Sequence, residues 1–174
     1  MERIFKILIF TDLDGSLLHR DTFKFDEIKN YLRELISKGI FIIPNTSKTE
    51  EEILEFNNEL GSNLPFISEN GAAINGLNLL NSDLPKELIL SREKDNLLNM
   101  FKNIVPINLQ NKCMWASSME KKKQSLIFGL DDKKLNLALN RKYTIPFIFN
   151  GTKTEKNQLS KIIRKEGLFL QEGG

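Results

Sequence analysis

The chain has 174 residues, 40% hydrophobic and 28% charged, which excludes a disordered or collagen-like polymer and leaves room for one large core or two small ones. With 25 lysines and arginines against 23 acids, the net charge of +2 is too small to demand nucleic acid or an anionic membrane as partner. Its single cysteine, Cys113, cannot close an internal disulfide; beside Met114 and Trp115 it reads as a packed thiol, in keeping with a reducing cytoplasm.

Ile4 to Phe10 is an apolar run of strand length interrupted only at Lys6, as expected where both faces of a parallel sheet are covered. It is too short to span a bilayer and runs into Asp12 rather than a small-residue cleavage site, so neither a membrane segment nor an export signal is expected. Asp26 reads as an N-cap ahead of Ile28, Tyr31, Leu32, Leu35 and Ile36 at helical spacing, with Gly39 placed to end the helix. Ile40 to Ile43 is a second buried strand. Thr49 and Glu52 form a capping-box pattern before Ile53, Phe56 and Leu60, closed by Gly61, and "LPFIS" is a third strand. The order βαβαβ with right-handed crossovers predicts an α/β fold with one parallel sheet.

From about Asp83 the pattern changes. "ELILS" reads as a strand, Glu93 to Phe101 as a helix, and 120–128 and 131–141 as short helices broken at Gly129. The basic run Lys121 to Lys123 follows Glu120 and reads as a solvated helix face. "PFIFNG", a helix from Thr154 to Lys165 and a final strand "LFLQ" complete a small α+β unit. The expected division is 1–83 and 84–174.

In the first half "DLDGS" follows the first strand, "NTSKT" the second and "SENG" the third, so three polar clusters converge at the carboxyl edge of the sheet, where open α/β folds bind ligands. An Asp-x-Asp alone is an ordinary solvated turn; tied to its strand, to Gly15 and to the hydroxyls after the next strand, it suits phosphoryl transfer through an aspartyl phosphate. Asp12 is the candidate nucleophile. Asp14 can reach over the same site to protonate the leaving alkoxide and then deprotonate water. The hydroxyls of Thr46 and Ser47 can donate to the transferring group. Lys48 either adds positive charge there or pairs with Glu50 to Glu52.

These residues resemble a known family. "DLDGS" is similar to motif I of the haloacid dehalogenase (HAD) superfamily. "NTSKTEEE", "PFISENGAAI" and "RKYTIPFIF" resemble, in order, the motif II region, the third strand and loop, and the cap signature of mannosyl-3-phosphoglycerate phosphatases. The resemblance implies a HAD-like Rossmannoid parallel sheet, incomplete with its first three strands, and an α+β cap of the C2 type. It further implies a magnesium-dependent phosphatase acting on mannosyl-3-phosphoglycerate, glucosyl-3-phosphoglycerate or a similar sugar phosphate. Asp12 would be nucleophile and Mg2+ ligand, and Asp14 acid/base with its carbonyl on the metal. Thr46, then Ser47, would supply the motif II hydroxyl. Lys48, Glu69, Asn70 and Gly71 would face substrate from the core side, and Arg141 and Tyr143 from the cap. Lys142 and Ile145 stand where the family usually has acidic residues.

In that family a lysine and further acidic residues follow the cap, whereas this sequence stops at Gly174. The expectation is therefore an impaired isolated chain whose first strand is an exposed apolar edge; either a second polypeptide or self-association covers that edge, or the chain is a truncated product. Three readings stay open: a phosphatase of glycosyl phosphoglycerates, a catalytically impaired remnant or binding protein, and a phosphatase of another sugar phosphate such as sucrose phosphate.

Overall fold

A computed structural model describes residues 7–172. The chain divides into two compact units, Met1–Ser91 and Arg92–Gly174.

In the first unit, strand β1 (Leu8–Thr11) pairs in parallel with β2 (Phe41–Pro44), Leu8 opposite Phe41 and Thr11 opposite Pro44. Residues 4–6 of the expected first strand lie outside the described residues. Helix α1 (Asp26–Ser37) makes the crossover and turns Leu32 into the core. Asp26 does not cap it. Phe25 holds the N-cap position, where its side chain has no acceptor to give a cap bond; its ring is buried against Phe56, centroids 4.8 Å apart. Asp26 instead sits in the first turn, where a carboxylate favours the helix dipole.

Helix α2 (Glu50–Leu60) starts with the expected capping box, Thr49 accepting from the Glu52 N–H and Glu52 reaching back to the Thr49 N–H. It ends at Gly61 in the left-handed conformation. Ile53, Phe56 and Leu60 lie on one face and, with Leu13, Leu32 and Ile42, form the first core. Each such side chain contributes roughly 1.5–3 kcal/mol by leaving water.

The third strand departs from expectation. Strand β3 (Phe66–Ser68) meets β2 only through a single parallel bridge, Asn45 to Ile67, and belongs to an antiparallel sheet with β4 (Ala73–Asn75) and β5 (Glu87–Ile89). Phe41 and Asn45 donate towards β1 and Thr46 towards Ile67, so alternation aims position 44 at β3. Pro44 has no N–H to donate there, which shortens the ladder. Because β5 hydrogen-bonds to β4, "ELILS" belongs to the first unit, and the boundary falls at Ser91 rather than at 83. Helix α3 (Leu77–Leu80) lies between these two strands in the chain.

Strand β1 is the exposed apolar edge expected of this chain, and not the strand covered on both faces that its composition alone suggests. Among the described residues it pairs on one side only, and Leu8, Ile9 and Phe10 are 42, 38 and 58% exposed.

The second unit holds α4 (Lys94–Ile104), α5 (Ile107–Gln110), β6 (Cys113–Trp115), α6 (Lys121–Phe128), α7 (Asp132–Leu139), β7 (Phe147–Phe149) and α8 (Lys153–Arg164). Strands β6 and β7 pair antiparallel, and the Trp115 ring meets Phe101 edge-on at 4.9 Å. Phe101, Val105, Leu109, Cys113, Leu159 and Ile163 make its core. Burial pushes the Cys113 thiol up to about 11, which keeps it protonated and inert. "LFLQ" forms no strand; Leu168 and Leu170 pack against this core while Phe169 stands exposed with the Arg164 guanidinium over its ring.

Helix α8 begins with a second capping box, Thr152 and Glu155, and Lys112 hydrogen-bonds to Glu155. The Lys112 hydrogen bond, aided by the Thr152 cap bonds, lowers the Glu155 carboxyl to about 2. A depressed folded-state value contributes stability above the unfolded value and loses it as pH falls. Wild type should therefore melt above Glu155→Gln at neutral pH, and thermal scans should show the two converging between about pH 4.5 and 2. A constant gap across that window would place the stabilisation elsewhere.

Candidate active site

The parallel pairing of β1 with β2 brings the loops that follow them to one edge, and the Asn45 to Ile67 bridge adds the loop after β3. Two hydrogen bonds tie that third loop to the second: the Glu69 N–H donates to the Lys48 carbonyl at 2.9 Å and the Asn70 N–H to the Thr46 carbonyl at 3.0 Å. To make them the chain runs through the left-handed region at Glu69 (φ 47°), Asn70 (62°) and Gly71 (91°). Only the last of these is a glycine, so the turn stores strain that its hydrogen bonds hold in place.

The first loop is built around Leu13, fully buried between the two aspartates. Its carbonyl accepts from Ser16 and Leu18, and the Gly15 N–H donates to the Leu18 carbonyl at 2.9 Å, with Gly15 at φ 71° to close the turn. Asp12 is exposed and Asp14 half-buried. The Leu13 N–H donates to Asp12 Oδ1 at 2.7 Å, which fixes that carboxylate.

Lys48 Nζ lies 3.1 Å from Asp14 Oδ1 and 3.2 Å from Glu52 Oε1, and 5.1 Å from the centroid of the Phe23 ring. Of the two alternatives open for Lys48 in the sequence, the pairing with Glu52 is present, and the same ammonium also reaches Asp14. Burial raises the Asp14 carboxyl from its ordinary value, Lys48 opposes that rise, and the Glu52 and Asp12 charges add to it. Thr46 is buried, its Oγ1 accepting from the Lys48 N–H at 3.4 Å, while Ser47 is exposed. Glu69 is buried and Asn70 exposed.

Eight of the ten candidate residues therefore share the three loops of the first unit. Arg141 and Tyr143 belong to the second. There Arg141 Nη1 donates to Thr144 Oγ1 at 2.8 Å, and Arg141 and Tyr143 line a cleft of about 210 Å³ with Glu93, Lys94, Asp95 and Lys142. Tyr143 is buried.

The two aspartates offer oxygen ligands, which suit a hard cation such as Mg2+ that binds through one or two carboxylates and keeps several waters. Asp12 offers an exposed carboxylate; that of Asp14 is engaged by Lys48. No three His, Cys, Asp or Glu residues gather as a metal site among the described residues. Among those residues, too, no helix is long and apolar enough to cross a membrane.

Sequence reasoning missed one member of this site and half-placed another. Glu52 was read as a helix cap and as one of the acids Lys48 could pair with, position i+4 putting it within reach, but not as part of the site. Phe23 carried no periodic signal; its place over Lys48 follows from a left-handed φ of 56° that only the folded chain reveals.

The chain is similar to a glucosyl-3-phosphoglycerate/mannosyl-3-phosphoglycerate phosphatase of Persephonella marina, 32% identical over 97% of this chain and 64% of that protein. A protein of the same name from Methanococcoides burtonii is 48% identical over 40% of this chain and 25% of its own length. The chain thus spans less than two thirds of these relatives. A crystal structure of a haloacid dehalogenase-like hydrolase from Bacteroides thetaiotaomicron shares the fold, with a TM-score of 0.59 at 14% identity over 94% of this chain and 65% of that one. The sequence profile of haloacid dehalogenase-like hydrolases matches residues 9–167, and the chain belongs to that family.

Proposed function

We propose that the protein takes part in hydrolysing a sugar phosphate monoester, with mannosyl- or glucosyl-3-phosphoglycerate as the substrate class, through a phosphoaspartate at Asp12. One observation supports this above the rest: a carboxylate fixed by its neighbour's N–H stands beside a second, half-buried carboxylate at a loop edge that also carries Thr46 and Ser47. The names of the similar proteins direct the choice of substrate.

With Oδ1 held by the Leu13 N–H, Oδ2 of Asp12 is the attacking oxygen. It forms a bond to phosphorus as the bond to the organic alkoxide breaks, and Asp14 delivers its proton to that alkoxide. The resulting Asp14 carboxylate then takes a proton from water, which attacks phosphorus and frees both Asp12 and inorganic phosphate. The Thr46 and Ser47 hydroxyls donate to phosphoryl oxygens. The Asp12 carboxylate and the Asp14 carbonyl would hold Mg2+, which when bound supplies positive charge against the phosphoryl oxygens.

Glu69, Asn70 and Gly71 are proposed as substrate contacts from the first unit, and Arg141 and Tyr143 as contacts to the sugar or glycerate portion. Arg141→Ala should raise KM for a glycosyl phosphoglycerate about tenfold while leaving that for para-nitrophenyl phosphate within about twofold, the loss expected for a charged contact that the smaller ester lacks. Equal losses on both esters would make Arg141 a structural residue. The reading as a whole is tested by Mg2+-dependent phosphate release from mannosyl- and glucosyl-3-phosphoglycerate; binding of either ester with no release would favour a binding protein instead.

A further inference from the structure

We propose that Glu52 and the ring of Phe23 are positioning residues that clamp the Lys48 ammonium onto Asp14, so that Lys48 serves the reaction through Asp14 and not by binding substrate. The proposal rests on the reading of Asp14 as the group that passes the proton.

The clamp begins at the helix cap. Glu52 Oε2 accepts from the Thr49 N–H at 2.9 Å and from the Thr49 hydroxyl at 3.2 Å, so its rotamer is set by the start of α2. That fixes Oε1, which faces Lys48 Nζ at 3.2 Å. The other side of the ammonium meets Asp14 Oδ1 at 3.1 Å, and the Phe23 ring closes a third direction. The Lys48 and Glu52 side chains are only 11 and 10% exposed, so the pair is screened far less than a surface ion pair.

Phe23 reaches that place at some cost. A bulky residue at φ 56° is uncommon; here its N–H donates to the His19 carbonyl at 2.8 Å, and the Lys24 carbonyl accepts from the His19 N–H at 2.8 Å. The short turn between His19 and Lys24 therefore presents the ring to Lys48, where a cation over an aromatic face is favourable. An ammonium held by two carboxylates and a ring is committed before any ester arrives. A lysine meant to grip substrate directly would be expected to keep donors turned to solvent.

The two roles differ in kinetics. A cation that binds the ester in the ground state changes KM, whereas one that acts only through Asp14 changes kcat and leaves KM alone. Lys48→Met should lower kcat for para-nitrophenyl phosphate by ~10²-fold, in the range found for a lost preorganised electrostatic group, with KM within about threefold. Glu52→Gln keeps an oxygen for the cap and removes the charge; it and Phe23→Leu should each lower kcat about tenfold with KM unchanged, the loss expected when a charged contact is weakened. Lys48→Arg should recover part of the Lys48→Met loss.

A second measurement does not depend on turnover. Under limited acetylation read by peptide mass spectrometry, Lys48 of the full chain should react several-fold more slowly than exposed Lys38, and that protection should fall in Glu52→Gln and Phe23→Leu. A Lys48→Met variant with raised KM and unchanged kcat would overturn the proposal in favour of direct substrate binding. Lys48 labelling as fast as Lys38 in the wild type, or untouched by Glu52→Gln, would overturn the clamp itself. Protection of Lys48 in a wild-type chain that releases no phosphate would refute the phosphatase reading, reducing the clamp to a structural ion pair.

Discussion

Asp12→Asn is expected to reduce phosphate release by at least ~10⁴-fold, the scale on which removing one member of a cooperating catalytic set acts. The neutral amide is a far weaker nucleophile towards phosphorus and a poorer ligand for a hard cation than the carboxylate it replaces. The fold should survive, because Asp12 is exposed and its amide oxygen can still accept the Leu13 N–H. The effect would then be chemical rather than structural, and unchanged circular dichroism and melting would establish that. Acid quench after mixing with a 32P-labelled ester gives the direct readout: label should stay on the wild-type chain, be released by hydroxylamine, and be missing from Asp12→Asn. Asp14→Asn should differ in kind, retaining the label while slowing its hydrolysis, since it loses the base that activates water and keeps the attacking oxygen. Wild-type-like turnover in Asp12→Asn, or label elsewhere, would move the nucleophile to another residue.

What could be read from the residues was mostly local. The capping box of Thr49 and Glu52, the left-handed stop at Gly61 and the buried face of Ile53, Phe56 and Leu60 each depend on spacing within one helix, and each is present. The juxtaposition of "DLDGS" with "NTSKT" was legible because parallel pairing forces loops after neighbouring strands to one edge. Where outcomes depended on partners distant in sequence, the reading failed. Nothing local to "ELILS" says that it will pair with β4, nor that Pro44 will cut short the ladder to β3. Strands β6 and β4 went unseen because neither lies in a run of branched and aromatic residues like those that mark β3, β5 and β7. The "LFLQ" run has strand composition, yet its alternate leucines are taken up by the second core, and among the described residues it pairs with no strand. Within the site, charge and hydroxyl residues and the pairing of Lys48 with the acids at the start of α2 could be named in advance, but the arrival of Asp14 and Phe23 at the same ammonium is a property of the folded loops.

Leu13→Ala should be the most damaging substitution that leaves every charged and hydroxyl group of the site in place. The side chain is fully buried in the first core, alongside Ile42, Ile53 and Leu60, so truncation removes its transfer free energy and opens a cavity, together costing about 2–5 kcal/mol. For a unit of this size that corresponds to a fall in melting temperature of at least about 8 °C. Activity should fall further than stability requires, because the Leu13 N–H holds Asp12 and the Leu13 carbonyl gathers the Ser16 and Leu18 N–H groups that close the turn carrying Asp14. A side chain locked in the core keeps that peptide still. A smaller one lets both carboxylates drift, and misplacement by about 1 Å is enough to cost 10²-fold in rate. Leu13→Met, of similar volume, should cost less than about 1.5 kcal/mol and keep most of the turnover. Urea titrations of the three proteins, with phosphate release measured well below each melting midpoint, separate the two effects. Were Leu13→Ala to lose stability but retain wild-type turnover in the folded state, the positioning of Asp12 and Asp14 would have to come from the loop hydrogen bonds alone.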